Sequence, residues 1–405
     1  MNQRSILDHM AEFPSFTEDM FDEAVLVDST TAFRKIRDMG DAVWSPSLEM
    51  FIVGRFDDVQ KGLRAHDALI SGKGVTVNAA MRTNPDQMDP VGVLTMDGEE
   101  HARHKRLLMK PLTPKALQVV TDRIRSEGEA VVASLANGQP FEAITQLASH
   151  LPTRIVSQLV GLTDVGSERL LRWAAAAFDG FGPPGNLRAV SAVDTLGEFL
   201  DYVPHLTREF LVPGGWAARL FDAADSSEIS EDTARSMVFD YATPALDTTI
   251  LSIGELLHQL ATTPGAFDTL RANPELITPA VYEAVRLASP IRGFARYAEE
   301  DFKFTDSTIP AGSWVWLLNA SANRDERHYE NPDWFEISRN PRDQLGWGNG
   351  SHMCAGMHLA RLEIEAILSS LVRNVRKIEL AGTPSRMINN GAQGWKKLPM
   401  VLYPA

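Results

Sequence analysis

A single cysteine among 405 residues, Cys354, constrains this chain more than any other feature. It has no second thiol to pair with, so no intramolecular disulfide can staple the fold, and a disulfide-rich secreted scaffold is excluded. The fold must rest on an apolar core, and 44% hydrophobic content over this length allows a large one. Residues 1–28 carry acidic and polar side chains throughout and read as no signal peptide. Nowhere do about 18 apolar residues run together, so no transmembrane helix is expected and a soluble cytoplasmic protein is the simplest reading. A net charge of −14 argues against general binding to nucleic acid or membrane surfaces, although "HARHKRLLMK" (101–110) is a local basic stretch.

Helical patterns dominate. Residues 32–40 read as a helix stopped by Gly40, 114–136 as one stopped by Asn137-Gly138, 141–162 as one interrupted near Pro152, and 278–289 as one entered at Pro279. Residues 233–262 read as a long apolar-rich helix and 356–371 as an amphipathic one. Strands are few: 42–55 reads as strand, turn, strand, and 302–319 as a hairpin turned by Pro310-Ala311-Gly312. Residues 78–92 and 178–188, rich in Pro, Gly and Asn, read as lids, and 222–235 as a polar connection. No alternation of strand and helix builds a doubly wound sheet. The expected class is mainly α with a minor β portion.

The neighbours of Cys354 set it apart from an ordinary buried thiol. Gly346, Gly348 and Gly350 alternate before it and Gly356 follows, a density that lets backbone turn tightly and approach a flat ligand. The cysteine precedes a helix start, where N–H groups favour thiolate over thiol, so an axial ligand for haem iron is a plausible role. A second constellation, Asp247-Thr248-Thr249, interrupts the long helix just after Pro244. That proline cannot donate a backbone hydrogen bond and is expected to kink or open the helix at the Asp240 carbonyl. A carboxyl and a hydroxyl beside such an opening can relay protons to a buried site, and read alone they are equally a satisfied polar pair. Third, Glu283 and Arg286 share a helix face at i, i+3, which read alone is a surface ion pair.

In this order and spacing the three constellations resemble the cytochrome P450 family of haem-thiolate monooxygenases, over nearly the whole chain. The family carries an acid–threonine pair on a long central helix, then Glu-x-x-Arg, then a loop of the form Phe-Gly-x-Gly-x-His-x-Cys-x-Gly. Here these are Asp247 and Thr248, Glu283 and Arg286, and Trp347 to Gly356. The resemblance implies one triangular domain over residues 1–405, with haem b between the central helix and the cysteine loop and its iron ligated by Cys354. It makes His101, Lys105, Arg296 and His352 candidates to bind the haem propionates, since all four can be cationic donors. Arg339 becomes the partner of Glu283 and Arg286 in a fold-stabilising network. Trp347 in place of phenylalanine, Lys105 in place of arginine, and Pro244-Ala245 in place of Ala-Gly depart from the pattern. Pro244 is expected to lie over the haem face and narrow the substrate space.

The implied reaction inserts one atom of dioxygen into a substrate and reduces the other to water, using two electrons and two protons. Thr248 is expected to hold the water that delivers a proton, and Asp247 to link it to solvent. A ferredoxin with its ferredoxin reductase is expected to supply electrons, docking through the basic stretch Arg103 to Lys110. Residues 178–188 resemble a segment of the bacterial subgroup that oxidises para-substituted benzoates, often by O-demethylation. Phe178, Phe181, Ile291 and Phe294 match pocket positions there, and Leu94 and Pro244 join them as candidate substrate contacts. The positions at which that subgroup holds a carboxylate carry Met88, Val91, Phe239 and Asp240 here. A neutral methoxyphenol or alkylphenol is therefore expected ahead of a benzoate, unless Arg82 or Arg292 reaches the pocket. Outside this class, a non-catalytic haem sensor or electron carrier leaves Asp247 and Thr248 idle. A metal hydrolase built on His352, Cys354 and His358 lacks a base for metal-activated water.

Overall fold

The computed structural model describes residues 12–79 and 92–405. Its organising element is the central helix, Glu231–Thr262. Ser230 Oγ accepts the Thr233 N–H at 3.0 Å, and Glu231 and Asp232 complement the positive end of the helix dipole. At about 1.5 Å per residue the helix is about 48 Å long, enough to cross the molecule. Met237, Val238, Leu246, Ile253, Leu256 and Leu257 along it are buried. The helix continues without a break through Pro244, where an opening was expected. The proline removes one backbone hydrogen bond, and the apolar side chains packed on either side hold the flanking turns together.

Helices Trp216–Asp225, Ser167–Asp179, Ile277–Ala288 and Met357–Asn374 pack around this one, and Met357–Asn374 also lies along Pro114–Leu135. Among the described residues no helix is long and apolar enough to cross a membrane. Beside the helices stands a five-stranded sheet in the order Val43–Ser45, Met50–Val53, Trp314–Leu317, Phe294–Ala298, Leu69–Ile70. It is antiparallel except where Met50–Val53 runs parallel to Trp314–Leu317. Side chains alternate along a strand, so Phe294 and Arg296 face the same way. A smaller sheet joins Pro140–Glu142, Pro399–Pro404 and Val375–Leu380.

Three segments differ from the sequence reading. Residues 141–162 are not one helix: Pro140–Glu142 enters the small sheet, and the chain then winds as π-helical turns, Ile144–Ala148 and Pro152–Val156, before a short α-turn, Ser157–Val160. Pro152 has no N–H to give a preceding carbonyl, and the wider winding accommodates it. Residues 302–319 are not one hairpin: Phe302–Lys303 pairs with Thr308–Ile309, whereas Trp314–Leu317 pairs with Phe294–Ala298. The apolar run Val315, Trp316, Leu317 is buried at the sheet centre, so Pro310-Ala311-Gly312 carries the chain between two sheets instead of folding it back on itself. The polar connection 222–235 is shorter than read, because Asp222 to Asp225 complete the helix Trp216–Asp225.

Glu283 and Arg286 lie inside this packing, both side chains 0% exposed. Arg286 Nε and Nη2 donate to the two Glu283 carboxylate oxygens at 2.7 and 2.8 Å, and Nη1 donates to the carbonyls of Asn323 and Pro332 at 2.6 and 2.7 Å. Arg339 Nε donates to Glu283 Oε1 at 3.1 Å. The forked guanidinium is thus satisfied at every nitrogen, the condition under which a buried ion pair can be tolerated. The network ties the helix Ile277–Ala288 to the irregular segment that leads into the cysteine loop.

Candidate active site

Cys354 sits where that loop meets the helix Met357–Asn374. Its N–H donates to the Trp347 carbonyl at 2.8 Å, closing the loop on itself. Gly350 has φ +68°, and a Cβ there would lie 2.4 Å from the Leu63 carbonyl oxygen, so both conformation and close approach demand glycine. Asn349 Oδ1 accepts from the Gly350 N–H at 2.8 Å and from Arg64 Nε at 2.9 Å. Cys354 is accessible yet recessed among protein atoms. Burial raises its thiol pKa, opposed by the Gly356 N–H, the Lys105 charge and the Met357 N–H. The helix start therefore acts in the expected direction, but desolvation outweighs it in the free thiol. Lys105 Nζ donates to the Met353 carbonyl at 2.7 Å and to that of Ser351, binding the loop from the helix Gly98–Met109.

Basic groups from three elements meet beside this loop. The His101 ring lies 4.1 Å from that of His352, and His101 Nε2 is buried without a hydrogen-bond partner. Arg296, 3% exposed, donates Nη1 to the Ala295 carbonyl at 2.8 Å and forms no ion pair among the described residues. His352 Nε2 lies 3.3 Å from Ser71 Oγ and 3.8 Å from Asp97 Oδ1. Burial, with the His352 and Lys105 charges, pushes His101 down to about 4, and burial brings Arg296 down to about 10. Burial lowers His352 and Lys105 as well. A recessed cluster of bases with one nearby carboxylate is short of negative charge.

On the central helix, Thr248 Oγ1 donates back to the Pro244 carbonyl at 2.7 Å, which leaves the hydroxyl oxygen free to accept. Asp247, its carboxyl pushed up to about 6 by burial, has no hydrogen-bond partner among the described residues. Pro244 is exposed although it stands midway along a core helix. Residues 244 and 248, at i and i+4, therefore share a helix face that borders accessible space.

Phe178, Leu251 and Ala392 form a small apolar cluster, with Phe181, Ile291 and Met387 packed against it. Phe178 meets Phe181 edge to face at 5.7 Å between ring centres, and Phe181 meets Phe294 at 6.2 Å. The structure thus brings together Phe178, Phe181, Ile291 and Phe294, while Leu94 stands 36% exposed on the turn Val93–Thr95, outside that cluster. Sequence reasoning missed Leu251, Met387 and Ala392. No local pattern marks the last two, which reach the cluster through an Ile291–Ala392 bridge and an Arg292 N–H bond to the Gly391 carbonyl at 3.0 Å. Asn390 Nδ2 holds the second lid to this segment, donating to the Asp179 carbonyl at 2.7 Å and to Asn186 Oδ1 at 2.9 Å. Arg292 is turned away, donating to the Leu26 carbonyl at 2.7 Å and to Ser29 Oγ. Phe239 packs among Trp173, Phe199 and Tyr202. Met88, Val91, Arg82 and the first lid from 80 to 91 lie outside the described residues.

A family model described as Cytochrome P450 matches residues 217–400. Over 399 residues the chain is 33% identical to cytochrome P450 CYP199A2 of Rhodopseudomonas palustris, covering 98% of this chain and 96% of that protein. The chain belongs to the cytochrome P450 family. A beta-dihydromenaquinone-9 omega-hydroxylase of Mycobacterium tuberculosis is 28% identical, with 98% of this P450 and 81% of that enzyme covered. The haem domain of CYP116B5 from Acinetobacter radioresistens shares the fold at a TM-score of 0.84 and 20% identity, covering 98% and 99% of the two chains.

Enzymes of this family are monooxygenases that take dioxygen, an organic substrate and electrons from redox partners, and they bind haem through a cysteine-ligated iron. In this P450 the single cysteine, Cys354, is that ligand. The surrounding residues fit the cofactor. The glycine loop lets backbone approach a flat ring, and the orphaned His101 Nε2 and the unpaired Arg296 guanidinium lack the acceptors and negative charge that two propionates carry.

Proposed function

We propose that this P450 hydroxylates or O-demethylates a small neutral aromatic of the methoxyphenol or alkylphenol type, in the cytoplasm, with electrons from a ferredoxin and its reductase. We further propose that residues 1–405 form one P450 domain. The observation that carries the substrate class is the pocket wall. Phe178, Phe181 and Phe294 offer edge-to-face rings able to enclose one flat ring. The ionisable group one turn before Pro244 on the central helix is a carboxylate, Asp240, and both terminal nitrogens of Arg292 are engaged by Leu26, Ser29 and Gln393, leaving only its Nε without a partner among the described residues. An anionic substrate there would meet like charge in apolar surroundings.

Haem held by Cys354 supplies the activation of dioxygen. His101, Arg296 and His352 bind its propionates, and Lys105 adds positive charge while clamping the loop carbonyls. Thr248, with its proton committed to the Pro244 carbonyl, accepts a hydrogen bond from a water and holds it in place. Asp247, with a pKa of about 6, takes up and passes on protons near neutral pH. Leu94, Pro244 and Ile291 complete the substrate contacts. Arg103 and Arg106, exposed on the helix Gly98–Met109, offer basic contacts to an acidic redox protein.

Titration of the haem spin state with para-methoxyphenol and para-methoxybenzoate tests the substrate class. The neutral ligand is expected to bind at least about 1,000-fold more tightly, from the several kcal/mol that an unpaired buried carboxylate costs. Tighter binding of the acid would put a cation in the pocket and make this a benzoate oxidase.

A further inference from the structure

Asp240 enters the reading above only as a charge that disfavours an anion, yet its setting is unusual for a carboxylate. It is half-buried on the central helix, one turn before Pro244 on the face that continues to Thr248. Its Oδ2 accepts the Val93 N–H at 2.9 Å. Its Oδ1 packs beside Gly92, where φ is +75° and a Cβ would come within 2.2 Å of that oxygen. No Lys, Arg or His among the described residues pairs with it, and burial lifts its pKa to about 7. One oxygen is therefore satisfied by the backbone, and the other has no hydrogen-bond partner among the described residues, on the helix stretch that leads to the exposed Pro244.

We propose that Asp240 determines which aromatic the enzyme accepts, its Oδ1 receiving a hydrogen bond from a phenolic hydroxyl and so directing the para substituent toward Thr248. The inference rests on the reading of the substrate as a small neutral aromatic. Helix geometry supplies a ruler for it. Asp240 and Thr248 are eight residues apart, about 12 Å along the axis. Subtracting a hydrogen-bond reach of about 3 Å at each end leaves about 6 Å, the span of one benzene ring with its para substituents. A hydroxyl suits Oδ1 because a donor relieves an unpaired, partly desolvated carboxylate at no cost in buried charge. A carboxylate substrate would add a second negative charge there instead.

The test is spin-state titration of the holoenzyme with para-ethylphenol and with para-ethylfluorobenzene, which matches it in size but has no donor, in buffer above the Asp240 pKa. The phenol is expected to bind about tenfold more tightly or better, as for a hydrogen bond to a charged group. Asp240→Asn keeps an acceptor for the Val93 N–H but turns an amide N–H₂ toward the pocket. It is expected to abolish the preference for the phenol and to favour para-ethylacetophenone, an acceptor. Asp240→Leu is expected to bind the phenol and the fluoroarene alike. An unchanged thiolate-type carbon monoxide spectrum shows that each variant has folded around its haem. Equal binding of the two ligands by the wild type, or a phenol preference that survives in Asp240→Leu, would overturn the assignment to Asp240 alone. Failure of every aromatic to shift the wild-type spin state would overturn the aromatic reading together with it.

Discussion

Replacing Glu363 by glutamine is expected to stabilise the protein, and to do so increasingly as pH rises. Glu363 lies on the helix Met357–Asn374, is 0% exposed, and has no hydrogen-bond partner on either carboxyl oxygen. Burial pushes its pKa from the ordinary 4.5 to about 8. Between those values the folded state keeps a proton that the unfolded chain releases. The folded pKa of this acid is raised, so stability is greatest below the unfolded value and declines as pH climbs toward the folded one. Each pH unit in that window costs about 1.4 kcal/mol, so the penalty reaches about 3 kcal/mol at pH 7 and about 4 kcal/mol at pH 8. Glutamine keeps the shape and cannot ionise. Urea unfolding of wild type and Glu363→Gln holoenzymes, followed by far-ultraviolet circular dichroism at about pH 5.5 and about pH 8, measures the difference. The deficit of the wild type should be about 1.4 kcal/mol at the lower pH and about 4 kcal/mol at the higher. Equal pH slopes would mean that the carboxyl is solvated or partnered in solution, and the reasoning from its burial would fail.

Thr248→Ala should still bind substrate and accept electrons, but product formed per NADH consumed should fall and hydrogen peroxide should rise, if the hydroxyl holds the proton-donating water as proposed. Unchanged coupling would leave Thr248 as a structural residue only. Arg286→Ala removes five hydrogen bonds, two of them to Glu283, and leaves that buried carboxylate with Arg339 and the Glu336 N–H on Oε1 and no partner on Oε2 among the described residues. The loss should be about 3–5 kcal/mol, seen as a lower unfolding temperature and poorer haem retention, with Arg286→Lys recovering charge but not the fork. A loss below about 1 kcal/mol in the alanine variant would contradict the network's role.

Local signals were legible where one chemical requirement acts within a few residues. The central helix begins two residues before the position read from its periodicity, because Ser230 caps it and two acids follow. The cysteine loop was legible because Gly350 has no substitute at that φ beside the Leu63 carbonyl. Partnerships across the chain were not. Whether Trp314–Leu317 pairs with its own neighbours or with Phe294–Ala298 depends on which surface buries the run, and periodicity carries no information on that. Ala392 meets Ile291 across 101 positions, so that side of the apolar cluster around Phe178 was invisible. Glu283 and Arg286 show the same limit: their spacing fits a surface pair, the resemblance marked them only as part of a fold-stabilising network, and their burial was not legible. The thiol of Cys354 shows competition of another kind, since the helix start and Lys105 were readable but the desolvation opposing them was not.

The account stands on Cys354 as the ligand of a haem iron, and one spectrum reads that bond directly. Reduced holoenzyme under carbon monoxide should show the red-shifted Soret band of thiolate-ligated haem, and Cys354→Ser should lose that band, by losing haem or by binding it through a neutral ligand. No other thiolate exists in the chain to restore it. A Cys354→Ser variant that kept the thiolate band would contradict the ligand assignment and the chemistry built on it.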